Sequence, residues 1–92
     1  MTTEQAAALL IMLKIDLGIT SDAYDDRLEQ IIGSAASYIS REGATLDYND
    51  IGDAQLAVMY AAWLWRRRDT GEGMPRMLRY NLNNRVLSEK MR

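Results

Sequence analysis

Cysteine, histidine and phenylalanine are all missing from these 92 residues. Without cysteine there is no disulfide, no thiolate zinc site and no thiol nucleophile. Without histidine the commonest general base and the commonest metal ligand are gone. Most enzyme classes fall away, so the expectation is a non-enzymatic protein with no catalytic residue, no metal and no cofactor. Alternating apolar runs of strand length are missing too, as are repeats and low-complexity segments. The eight apolar residues Ala6 to Leu13 have the length of a signal-peptide core. Glu4 stands where a basic segment belongs, and no small-residue cleavage site follows, so a cytoplasmic protein is expected.

What is present is ordinary for a globular chain: 48% hydrophobic and 26% charged residues, enough for one compact domain over residues 1–92. Six methionines with no phenylalanine suggest an adaptable core. Thr2 or Thr3 is placed to cap a first helix carrying Ala7, Leu10, Ile11 and Leu13 or Lys14 and ending before Gly18. After a hydrophobic Ile19 and the capping run Thr20-Ser21-Asp22, the residues Tyr24, Leu28, Ile31, Ile32, Ala35 and Ile39 fall on one helical stripe that Gly43 stops. Asp50 or Asp53 suits the cap of a third helix, and Asp69-Thr70-Gly71-Glu72-Gly73 breaks it. Pro75 suits the first turn of a fourth, carrying Met77 or Leu78, Leu82, Val86 and Met91. The fold class expected is all-α, a small bundle of about four helices.

The third helix is the unusual one. Ala54 to Trp65 has a single polar side chain, Gln55, and runs into Arg66-Arg67-Arg68. At about 100° per residue, Ala54, Ala57, Val58, Ala61 and Trp65 face one way, and Leu56, Met59, Tyr60 and Trp63 face the other. Twelve residues reach only about 18 Å, short of the roughly 30 Å of bilayer hydrocarbon, so no membrane span is expected. In so short a chain, burial on both faces points to a helix shared between subunits. Leu56, Tyr60 and Trp63 are expected in the subunit's own core. Ala54, Ala61 and Trp65, followed by Arg66, Arg67 and Arg68, are the candidate subunit-interface residues.

Charge divides along the chain. Residues 1–55 hold ten acids against three bases, for −7, and residues 56–92 hold eight bases against three acids, for +5. Such a division suits head-to-tail contact between copies, closing into a ring; two solvated faces of a monomer is the competing reading. The acids Asp22, Asp25, Asp26 and Glu29 complement a helix N-terminus more readily than they make an ion site. Asp47-x-Asn49-x-Ile51-Gly52 opens like a calcium loop but has Ile51 and Val58 where oxygen donors belong, so it reads as a turn. The three consecutive arginines splay around the helix rather than forming one stripe, which favours packing over Trp63 or Trp65 and subunit contact above a grip on DNA phosphates.

The order of these features carries a family likeness. Leu13-Lys14-Ile15-Asp16 leads to Asp25-Asp26-Arg27-Leu28-Glu29-Gln30-Ile31-Ile32 and Ala35-Ala36-Ser37-Tyr38-Ile39. There follow an alanine-rich helix ending Trp65-Arg66-Arg67-Arg68 and a last segment opened by Met74-Pro75-Arg76-Met77-Leu78. In this order the chain resembles the head-tail connector proteins of tailed bacteriophages, also called adaptor or head-completion proteins. The resemblance implies a helical subunit of a ring beneath the portal protein, with the portal's twelvefold order. The dodecamer would extend the DNA channel, let double-stranded DNA pass, and dock the next completion protein or the tail. It also implies a virion protein assembled in the host cytoplasm. Outside that family, a small helical DNA-binding packaging or regulatory protein is the alternative, and an enzyme subunit such as a small mutase would need arginines facing carboxylates in a pocket.

Overall fold

The computed structural model describes residues 1–91 and folds them into four helices: α1 Thr3–Leu17, α2 Asp25–Glu42, α3 Ile51–Thr70 and α4 Arg76–Lys90. No strand occurs among the described residues, so the all-helical expectation holds. The molecule measures 41 × 31 × 18 Å, and its short dimension leaves room for two layers of helices.

Local signals place the ends. Thr2 caps α1 in a reciprocal box: its Oγ1 accepts from the Gln5 N–H at 3.1 Å, and its own N–H donates to Gln5 Oε1 at 2.9 Å. Asp50 caps α3, its Oδ2 accepting from the Asp53 N–H at 3.0 Å. Gly18, Gly43 and Gly71 close the first three helices with φ of 71°, 109° and 65°, a left-handed conformation that other residues adopt only with strain. The run Thr20-Ser21-Asp22 does not cap α2 as expected: Ser21 Oγ accepts from the Ala23 N–H in the connector, and the helix starts at Asp25 behind Tyr24, which makes no side-chain cap.

The core gathers around α3, which packs against each of the other three helices. Ala54, Leu56, Ala57, Val58, Tyr60, Ala61, Ala62 and Trp63 are all buried. The two apolar faces of α3 are therefore covered within one chain, and a helix shared between subunits is not required to bury them. Total length is a poor guide to how much of one helix a small core can enclose. Three neighbouring helices need only present their apolar stripes inward to enclose a fourth, and the alanines keep that fourth helix narrow enough for them to close on it. From α2 come Leu28, Ile32, Ala35 and Ile39, as its periodicity predicts, and from α4 Leu78 and Leu82. α1 turns differently from its expected face. Leu9 and Leu13 are buried, whereas Ala7 and Ile11 point outward, because a helix apolar on nearly every side has no periodicity to choose a face.

Candidate assembly surface

The C-terminal end of α3 holds four of the six residues expected to face another subunit. Trp63 is buried, and its Nε1–H donates to the carbonyls of Glu72 and Gly73 at 3.3 and 3.1 Å, tying the α3–α4 connector to the core. Trp65, on the other side, is half-buried and meets Tyr24 edge-on, with ring centroids 5.5 Å apart. The arginines are engaged within the chain. Arg67 lies 5.0 Å over the Trp63 ring and Arg68 3.7 Å over the Trp65 ring, while Arg66 reaches Asp16 of α1 at 3.6 Å. Ala54 and Ala61 are corrected outright: Ala61 is 0% exposed and Ala54 is buried in the protomer's own core, so neither offers surface to a second copy.

The most enclosed charged side chain among the described residues is one that the sequence offers only as a possible helix cap. Asp53 sits in the first turn of α3 at 8% exposure, one turn inside the capping Asp50. Its Oδ1 accepts from Arg85 Nε at 2.8 Å, and its Oδ2 from Arg85 Nη2 at 3.2 Å and from the Asp47 N–H at 2.8 Å. Arg85 Nη2 also donates to the Thr45 carbonyl at 2.7 Å, and Glu89 Oε1 accepts from the Thr45 N–H at 2.9 Å. The fork-on-carboxylate geometry holds the Arg85 guanidinium charged beyond its already high ordinary value, chiefly through the Asp53 hydrogen bond. One latch thus joins α4, α3 and the α2–α3 connector. The only hint in the sequence is an acid three residues after a helix cap together with the Arg85/Glu89 spacing on the buried side of α4.

Pairing across the two halves of the chain is otherwise intramolecular as well. Arg79 meets Glu42 at 3.0 Å, joining Arg66–Asp16 and Arg85–Asp53, so three of the eight bases after residue 55 are taken up by acids before it. Lys14 takes Asp25 at 2.8 Å and Asp22 at 3.2 Å, and those bonds raise its pKa despite some desolvation. Asp47 Oδ1 accepts from the Asn49 N–H at 3.0 Å, the turn expected there.

Large apolar side chains are left uncovered singly at Tyr24, Tyr38 and Ile51, and in rows on the outer sides of α1 and α4. Ile11 and Ile15 project from α1 at 60% and 76% exposure, with the exposed Ala8 one turn before them. On α4, Met77, Tyr80 and Leu87, with Met91 at its C-cap, are all more than half exposed. Between α1 and α3 runs a groove of about 380 Å³ lined by Met12, Ile15 and Asp16 of α1 and by Gln55, Val58 and Met59 of α3. No helix is long and apolar enough to cross a membrane among the described residues. Comparison with family models, curated proteins and solved structures finds no match for this chain.

Proposed function

We propose that this chain is a structural subunit of a homo-oligomeric ring, acting as a head-tail connector beneath a phage portal. In that setting it extends the DNA channel and docks the next completion protein or the tail, in the virion, after assembly in the host cytoplasm. The observation that carries self-association is the pair of exposed apolar stripes on α1 and α4, since side chains of this size stay exposed at a cost that a partner removes. They take over the role first given to α3. The family likeness of the sequence supplies the phage setting and the dodecamer. The arginines after Trp65 favour passive passage of double-stranded DNA over gripping it, because cation–π and ion-pair contacts within the chain already occupy them.

The test is light scattering and negative-stain imaging of the pure protein, alone and with a portal protein. A ring, or a monomer that forms rings on the portal, supports the reading. A strict monomer at high concentration that binds no portal overturns it. A titration of labelled duplex at physiological salt, with wild type and the triple variant of Arg66, Arg67 and Arg68 to Ala, addresses the alternative. Sub-micromolar binding abolished by the variant would favour a DNA-binding packaging or regulatory protein.

A further inference from the structure

α4 carries two stripes of opposite character. Leu78, Leu82 and Arg85 face the body. On the other side Met77, Tyr80, Asn84, Leu87 and Met91 recur at intervals of three and four residues, which is the spacing of a helix–helix seam, and all five are exposed. The stripe runs about 21 Å at 1.5 Å per residue. Arg76 and Lys90 flank it near its two ends, and neither makes an ion pair among the described residues. α1 has the complementary arrangement. Ala8, Ile11 and Ile15 form a shorter exposed stripe, with Glu4 beyond one end and Asp16 at the other. The two acids stand about 18 Å apart along the axis and the two bases about 21 Å. Ala8 leaves space for a close approach.

We propose that the outer stripe of α4 seats on the outer stripe of α1 in a second copy of this chain. Arg76 and Lys90 then meet Glu4 and Asp16, and Asn84 lies opposite Ile11, the middle of one stripe against the middle of the other. A second copy is the occupant because its charges match at both ends, whereas α4 against α4 would bring the bases of one stripe among those of the other. Asp16 keeps Arg66 beside it at 3.6 Å, both half exposed, so a second guanidinium or ammonium has access to the same carboxylate. The inference rests on self-association, not on the phage setting, and it names the surfaces in contact.

The chain has no cysteine, so introduced thiols report contacts without background. Ile11→Cys and Asn84→Cys, both at exposed positions, are made singly and together and oxidised after gel filtration. The expected result is no cross-link in either single variant, a dimer when the two are mixed, and a ladder in the double variant that ends at the ring's copy number. Cross-linking of Asn84→Cys alone would overturn the inference in favour of α4 against α4. An oligomer by scattering with no cross-link in the mixture would overturn it while leaving self-association standing. A mixed cross-link whose ladder stops at the dimer would uphold the α4–α1 contact and remove the ring. A monomer throughout would remove both. As a second measurement, Arg76→Glu with Lys90→Glu should weaken association at least tenfold, and adding Glu4→Lys with Asp16→Lys should restore it; failure of the rescue counts against the seating.

Discussion

α3 and α4 are consecutive in the chain and pack against each other, yet they are held by different forces. α3 is enclosed by apolar contact from Ala54 to Trp63 and shares a core with every other helix. α4 fully buries only Leu78 and Leu82, with Val86 partly buried against the core, and much of the rest of its attachment is polar: the Arg85–Asp53 fork, the Glu89–Thr45 bond and the Arg79–Glu42 pair. Area holds the one and geometry the other. Hydrophobic burial tolerates small displacements, whereas a two-point carboxylate–guanidinium contact is lost when either end moves by an ångström or two. The body α1–α3 should therefore behave as one cooperative unit, with α4 as a docked arm of lower stability.

The sharpest way to break this contrast is to damage the core. Trp63→Ala should cost about 3–5 kcal/mol and unfold the whole domain, read as a loss of the urea midpoint. Leu82→Ala should cost about 2–4 kcal/mol, since it removes one of the two fully buried side chains of α4. Asp53→Ala leaves Arg85 without its carboxylate and should cost about 2–3 kcal/mol, the discount from a fully buried pair reflecting residual solvent access. Its signature is local: amide exchange in α4 should rise while α1 and α2 keep their protection. Equal loss of protection in all four helices after Asp53→Ala would erase the distinction between arm and body.

Alkaline pH and added salt should act on different parts. Burial raises the pKa of Tyr60 and of Tyr48, and the bond to Asp25 raises that of Lys14. Each group holds its proton more tightly when folded. The stability it adds is complete below the unfolded value, about 10 for tyrosine and 10.4 for lysine, and is lost as pH rises through the folded value. All three groups belong to α1, α3 or the connector before it, so the thermal midpoint should fall above about pH 10 with the Arg85 guanidinium still charged. Salt should instead loosen the more exposed Arg79–Glu42 pair. The smallest effect is expected from Arg68→Ala, about 0.5–1 kcal/mol for a solvent-facing cation over Trp65, measured by chemical denaturation.

Helix number and most ends were legible because caps and left-handed glycines are local devices: Thr2, Asp50, Gly18, Gly43 and Gly71 act through bonds to residues a turn away, whereas the start of α2, which no side chain caps, was not. The buried face of α2 was legible for the same kind of reason, since Leu28, Ile32, Ala35 and Ile39 have no apolar competitors on the opposite side. α1 was not, because Ala6 to Leu13 offers every direction at once and only its neighbours decide. The candidate interface was misread at Ala54 and Ala61, where small size suits a close partner but does not say whether that partner lies in the same chain. The Asp53–Arg85 latch joins residues 32 apart in sequence, a separation over which local spacing has no force.

Trp63 gives the molecule a built-in optical gauge. Its indole nitrogen is bonded to the connector that carries α4 away from α3, while its ring stays in the core under Arg67. Release of the connector exposes that N–H to water before the core opens, and an indole newly solvated at its nitrogen emits at longer wavelength. With Trp65 replaced by Phe to leave one fluorophore, a red shift preceding the loss of helical circular dichroism would time the departure of the arm separately from the melting of the body.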